Sequence, residues 1–299
     1  MKKNVTKKRR RSFLDRPDGR YLRSLTTMAK LVPFIMPTRV DSSVYFQDSV
    51  EMDAINEFIR KKRKEGMPGF GAMHVLMSAY LRTTCQFPGI NRFISGQRIY
   101  ARDNVEINIG VKKTMKLNSP ENMMKFIFER DVTVDDVYNE LQKSIDEYKT
   151  REDDGDDELF STIDLMCKIP RPLLRFAVNL IKFLDYHGIL GKKILRISPF
   201  HGSAFFTSMA SLGIPPVFHH LYDIGNISLF FAFSGMRHEK ILQQDNTYLT
   251  KRFLDFTIVC DERICDGHYF ATAFKTLKHL LENPSLLEQK PEAVVEDVD

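Results

Sequence analysis

The densest run of chemically useful side chains is Asp261-Glu262-Arg263-Ile264-Cys265-Asp266-Gly267-His268. It offers carboxylates, a thiol, a guanidinium and an imidazole, enough for general acid–base chemistry if the fold turns them into one cleft. The run lies between a β-patterned segment and an amphipathic one, on a turn where a scaffold can present polar groups. A second polar pair sits in Pro215-Pro216-Val217-Phe218-His219-His220-Leu221-Tyr222. It reads either as a loop pair satisfied by backbone hydrogen bonds or as part of a site. Ser208 ends the run Phe205-Phe206-Thr207 and, on local grounds, is a strand-end serine satisfied by backbone or water. His201, between Pro199 and Gly202, reads as a loop residue, and His74, His187, His238 and His279 have no motif around them. Cys85, Cys167, Cys260 and Cys265 form no CxxC pair and no zinc-spaced cluster. They read as reduced thiols of a cytoplasmic protein, and no metal is expected. Neither a Rossmann nor a P-loop glycine pattern is present.

Alternating helical and strand patterns must position these groups. Met52, Ile55, Phe58 and Ile59 predict one helix, closed by Lys61 to Lys64, and Met73, Leu76, Met77, Tyr80 and Leu81 predict a second. Phe87-Pro88-Gly89 stops it. Arg92 to Ala101 and Val105 to Lys113 read as strands, and Met123 to Phe128 as another. Thr133 with Asp136 can cap a helix faced by Val134, Val137, Leu141, Ile145 and Tyr148. Phe205 to Thr207, Ile227 to Phe233 and Phe253 to Cys260 are later strands, and Tyr269 to Leu281 is a closing helix before Pro284. Leu173 to Leu190 is apolar over well over half its circumference. It calls for burial on several sides, in a core or against a partner, while Arg171, Arg175 and Lys182 would also suit a membrane surface. The order of elements predicts an α/β fold with a mixed sheet.

At 299 residues, 43% hydrophobic and 28% charged, the chain suits a soluble globular protein of one large or two small domains, not a disordered or fibrous one. It lacks the apolar run of a signal peptide or a membrane span. The net charge of +5 hides an uneven distribution. Lys2 to Arg23 hold ten basic and two acidic residues, which leaves the rest formally negative. This arm reads as a solvated tail or as a binder of an anionic partner, nucleic acid or membrane. Glu152 to Glu158 carry six carboxylates and read as an exposed loop without calcium-loop spacing. The acidic end, Glu288 to Asp299, is expected to fray.

Several segments in order resemble the catalytic domain of the dihydrolipoamide acyltransferases, the E2 components of 2-oxoacid dehydrogenase complexes, and the related trimeric chloramphenicol acetyltransferases. They are Phe87-Pro88-Gly89-Ile90-Asn91-Arg92-Phe93, Val105 to Val111, Phe205-Phe206-Thr207-Ser208, and Phe253 to Glu282 with its Asp266-Gly267 turn. The resemblance covers roughly residues 37–150 and 196–287. It implies a chloramphenicol-acetyltransferase-like α/β fold: a basic arm (1–36), an acyltransferase-like domain (37–287) with an extra helical insertion (about 151–195), and an acidic tail (288–299). It also implies transfer of an acyl group between coenzyme A and an acceptor, in a homotrimer whose sites lie between neighbours. No metal is implied, and no lipoyl group in cis is expected.

Residue by residue, the resemblance makes Ser208 the oxyanion donor and Asp266 the turn aspartate, ion-paired with Arg39. The family's catalytic histidine position holds Glu262. A carboxylate with a reference pKa near ~4.3 is a weaker base than an imidazole near ~6.5, by roughly 2.7 kcal/mol of proton-transfer driving force. Burial could recover much of that. Glu262 is therefore either a substitute base or a surface-turn residue paired with Arg263 or Lys251. His219 and His220 are placed near the substrate by the same resemblance, and His268 by its position just after Gly267. Three functions follow as alternatives: a coenzyme A-dependent acyltransferase, a catalytically inactive relative that binds acyl-CoA or a protein, and a polyanion- or membrane-associating scaffold using Lys2 to Arg23 and Leu173 to Leu190.

Overall fold

The computed structural model describes residues 12–112, 121–150 and 168–299; Lys2 to Arg11, the acidic run 152–158 and Cys167 lie outside them. The elements are β1 (Gly19–Tyr21), α1 (Thr27–Ile35), β2 (Ser43–Glu51), α2 (Met52–Lys64), α3 (Ala72–Gln86), β3 (Arg92–Ser95), β4 (Arg98–Arg102), β5 (Val105–Lys112), β6 (Glu121–Phe128), α4 (Val134–Thr150), α5 (Arg171–Tyr186), α6 (Lys192–Ile197), β7 (Ala204–Ser208), β8 (Leu229–Leu242), β9 (Tyr248–Asp261) and α7 (Gly267–Glu282). Six strands form a mixed sheet in the order β2-β9-β8-β7-β5-β6, and β1-β4-β3 form a small second sheet. β7 runs parallel to β5 and β8, and the remaining pairs of the large sheet are antiparallel.

Alternation along the strands divides the large sheet into two faces. Phe206, Phe231 and Ile258 join the main core with residues of α2, α3 and α7. Phe206 stacks on Phe231 at 4.9 Å and meets Tyr80 of α3 edge-on at 5.7 Å. The neighbouring residues Phe205, Phe230 and Val259 face the other way and pack with Leu221 and Ile227 of the long β7–β8 connection. One face is thus covered by helices and the other by a loop. α2 buries the stripe expected of it, and its closing lysines lie where the helix dipole favours cations. α3 is buried on nearly all sides, which explains its weak amphipathic pattern.

Four expectations change. Arg92 to Ala101 is a hairpin, not one strand. Gly96 and Gln97 both take positive φ, +55° and +57°, as a tight two-residue turn requires. The described part of the basic segment Lys2 to Arg23 is not a solvated tail. Arg16 is buried with its guanidinium on Asp18 at 3.0 Å and on Asp185 at 2.8 Å, and β1 pairs with β4. The acidic end docks instead of fraying, because its carboxylates meet arginines. Arg92 binds Asp297 at 2.5 Å, Arg130 binds Glu296 at 2.7 Å, and Arg20 binds Asp299 at 2.8 Å. Finally, α5 is not enclosed: Asp185 alone is buried along its length.

Candidate functional site

The turn after β9 is held from below. Asp261 is fully buried and receives Arg263 through both carboxylate oxygens, Nε at 2.8 Å and Nη2 at 2.7 Å. Ser42 Oγ donates to it at 3.1 Å, and Arg39 Nε lies 3.9 Å away. Arg263 Nη1 also donates to the carbonyls of Met36 and Pro37 at 3.0 and 3.1 Å. Arg39 donates to the carbonyls of Tyr222 and Ile94, while its own backbone N–H donates to Asp223. Burial pulls the Arg39 guanidinium below its ordinary value, and Asp261 opposes that pull. This network ties the α1–β2 link, the β7–β8 loop and the β9–α7 turn into one unit.

The expected ion pair between Asp266 and Arg39 is therefore not formed. Arg39 serves Asp261, at the last position of β9, and Asp266 is exposed and caps α7, accepting from the Tyr269 N–H at 2.8 Å. The two aspartates divide the work: the one in the sheet carries the buried charge, and the one at the helix start satisfies an orphan N–H. Sequence reasoning overlooked Asp261 and Arg263 as the structural pair. The signal available was an aspartate two residues before an arginine at the end of a strong strand.

Glu262 rests on this unit with its backbone N–H on the Ser42 carbonyl at 2.9 Å, and its side chain is exposed. The two cations expected to neutralise it are engaged elsewhere. Arg263 holds Asp261, and Lys251 holds Glu51 at 2.7 Å. Glu262 thus presents a carboxylate with no side-chain partner among the described residues, on a turn anchored by buried charges.

Ser208 lies at the other end of the sheet. It pairs with Phe233, which pairs with Phe256, six residues before Glu262. At about 3.3 Å per residue the two side chains are about 20 Å apart along the strand direction. The structure does not bring them together within one chain. Ser208 Oγ, half-buried, accepts from the Ala210 N–H at 3.3 Å, which leaves its hydroxyl hydrogen to donate. Beyond it opens a cavity of about 530 Å³, with Met52, Ile59 and Leu254 among its apolar lining and Arg60, Arg63 and Arg252 among its charged lining.

The β7–β8 loop crosses the sheet between these two ends. Thr257 Oγ1 donates to the Val217 carbonyl at 2.7 Å, and the His219 ring stacks on Phe230 at 4.0 Å. His219 Nδ1 lies 2.9 Å from the His220 carbonyl, and His220 is exposed. His219 therefore sits on the loop-covered face, between the Ser208 end and the Glu262 end. His268 is exposed in the first turn of α7, its carbonyl accepting from Thr272 Oγ1 at 2.9 Å. It shares the turn with Glu262 but not the loop with His219. Among the described residues, no group of three His, Cys, Asp or Glu side chains could hold a metal ion.

The fold occurs in solved structures. The described probable dihydrolipoamide acetyltransferase of Listeria monocytogenes matches over 91% of this chain and 97% of its own, with 11% identity and a TM-score of 0.54. The catalytic core of the 2-oxoacid dehydrogenase multienzyme complex of Thermoplasma acidophilum matches over 88% and 98%, with 11% identity and a TM-score of 0.51. The dihydrolipoamide acetyltransferase of Azotobacter vinelandii matches over 87% and 88%, with 12% identity and a TM-score of 0.50. The fold is that of the E2 acyltransferase cores. No family model matches the sequence, and no curated protein matches it. At such identities the E2 fold carries over while the site does not, so the chemistry of this acyltransferase fold has to be argued from Ser208, Glu262 and their surroundings.

Proposed function

We propose that the chain is a coenzyme A-dependent acyltransferase whose site is completed between two copies, with Glu262 of one and Ser208 of the next. The observation that carries this is the carboxylate at position 262: exposed, without a side-chain partner, and fixed on a turn by the buried Asp261–Arg263 pair. A group held that way and left unsatisfied in one chain suits contact with a neighbour. The separation of about 20 Å from Ser208 fits an arrangement in which neither chain holds a whole site. The loop-covered face supplies a surface for the second copy. It exposes Leu212, Ile214, Val217 and Phe218, with Tyr45 meeting Phe218 edge-on at 5.6 Å.

In this reading Glu262 takes the proton from an acceptor thiol or hydroxyl as that atom attacks the thioester carbonyl of an acyl-CoA. Ser208 donates its free O–H to the developing oxyanion. The tetrahedral intermediate collapses, the C–S bond breaks, and the coenzyme A thiolate recovers the proton. Arg60 and Arg63 around the cavity beside Ser208 provide positive charge for the phosphates of the cofactor, which is here a substrate, while Arg252 is paired with Asp53 at 2.6 Å.

Coenzyme A release from a panel of acyl-CoAs tests this. Glu262→Gln and Ser208→Ala should each lower turnover by about 10²-fold or more. Unfolding and reassembling the two variants together should restore part of it, since mixed assemblies contain intact Glu262–Ser208 interfaces. Light scattering should give a trimer. A mixture as inactive as its parts would remove the shared site. A second reading, an inactive relative that binds acyl-CoA or a protein, is favoured by the exposure of Glu262, which denies it the burial that makes a carboxylate a stronger base. Absence of turnover in the wild type, with turnover created by Glu262→His, would establish that reading instead.

A further inference from the structure

α5 has three sectors rather than two. At 100° per residue, Leu174, Ala177, Val178, Ile181 and Leu184 fall on one side, where they are half-buried, with Asp185 buried among them. Asp185 pins that side to the body through Arg16 and through its carbonyl, which accepts from Ser95 Oγ at 3.0 Å. Arg171, Arg175, Asn179 and Lys182 fall on a second side. Leu173, Phe176, Leu180 and Phe183 make a third, apolar and turned outward; Phe176 is 62% and Phe183 57% exposed. The helix is thus docked by one apolar face and offers another to the outside, which is why its pattern looks apolar over most of its circumference.

The exposed stripe continues through the chain. Ile189, Ile194 and Ile197 of the following link and α6 are all exposed. Beside Tyr186, whose hydroxyl donates to Gln97, α1 presents Met28, Leu31, Phe34 and Ile35 to the outside, and Phe34 lines a pocket with Gln97. The exposed charge of this described segment has one sign. From Lys168 to Arg196 there are seven Lys and Arg and one acid. That acid, Asp185, is buried against Arg16.

We propose that α5 and α6 form a membrane-docking face that lies in the interfacial plane of an anionic bilayer. An outward apolar stripe of Leu, Phe and Ile, flanked by cations and, from Lys168 to Arg196, without an exposed carboxylate, is the pattern that buries its apolar side at the headgroup–acyl boundary and sets Lys and Arg against anionic headgroups. The 16-residue helix spans about 24 Å, too short to cross a hydrocarbon core of about 30 Å. Among the described residues no helix is long and apolar enough to cross a membrane. Docking is therefore parallel to the surface.

The chain has no tryptophan, so Phe176→Trp in the full chain gives a single emitter. With vesicles of phosphatidylcholine and phosphatidylglycerol, its emission should shift to the blue and be quenched by brominated lipid. Vesicles of phosphatidylcholine alone should leave it unchanged. In co-sedimentation with the anionic vesicles, Phe176→Ser/Phe183→Ser should abolish binding, and Arg171→Gln/Arg175→Gln should weaken it about 30-fold. These positions are exposed, so circular dichroism should be unaltered. Because the basic residues 2–11 stay in place in every variant, binding by charge alone is separated from insertion. An emission spectrum unmoved by anionic vesicles, or vesicle binding retained by the double serine variant, would overturn the proposal. So would a double serine variant that changes the oligomer size by light scattering without changing vesicle binding, since the stripe would then be an interface between copies.

Discussion

Asp185 joins α5 to the body, and its replacement by asparagine isolates what that charge contributes. Its Oδ1 lies 2.8 Å from Arg16 Nη2 and 3.3 Å from His201 Nε2, and His201 Nδ1 is 2.8 Å from Ser198 Oγ. Burial would raise this carboxyl, but His201 and Arg16 hold it at about 2, below the ordinary 3.8. A depressed carboxyl contributes stability above its unfolded pKa and loses it as pH falls through the folded one. The shift corresponds to about 2 kcal/mol at neutral pH. Asp185→Asn should therefore cost about 2 kcal/mol at pH 7, about 1 kcal/mol at pH 3, and almost nothing by pH 2. Urea unfolding of wild type and variant at pH 7, 5, 4 and 3 measures the difference directly. A variant as stable as wild type at pH 7, or a deficit that stays constant down to pH 3, would refute the assignment of this charge to the anchoring of α5.

Phe206→Ala should destabilise by about 3–5 kcal/mol, because the ring is fully buried between Tyr80 and Phe231 and the rigid sheet cannot close the cavity; an equilibrium unfolding midpoint within error of wild type would contradict this. Burial pushes the Cys85 thiol up to about 11 and raises Cys260 well above its usual value. Both should resist thiol reagents at pH 8 in the native protein and react in denaturant, as peptide mapping by mass spectrometry would show.

β5 to β9 and most helices were legible because their apolar residues recur with the period of the element that buries them; β1, α1, β2 and α6 were not, and β2 buries only Val50 along its nine residues, so no apolar alternation marks it. β7 and the core half of β9 are nearly continuous apolar runs, and α2 has a single stripe. The β3–β4 hairpin was not, since Gly96-Gln97 is a short signal inside a run that otherwise reads as extended. α5 misled for a physical reason: two apolar faces, one docked and one exposed, give the same residue pattern as one enclosed helix. The arm and tail misled because local charge density says nothing about distant partners, and Arg20, Arg92 and Arg130 meet their carboxylates only in the folded chain. Glu262, Ser208 and the turn were singled out through the order of the resembling segments. Their separation to opposite ends of the sheet follows from strand register, which the sequence of one strand does not carry. The choice of Asp261 over Asp266 as the partner of Arg39 depends on which carboxylate the last strand residue points into the core.

β2 pairs with β9 along its whole length, from Ser43 against Asp261 to Glu51 against Phe253. Its hydrogen-bonding partner is made more than 200 residues later. At synthesis rates of about 5–20 residues per second, that edge waits roughly 10–40 s on the ribosome with its ladder groups unpaired. During that interval the nascent chain is an open template for strand addition by neighbours on the same message. The demand for chaperone protection is then set by the topology of one terminal strand pair rather than by overall hydrophobicity.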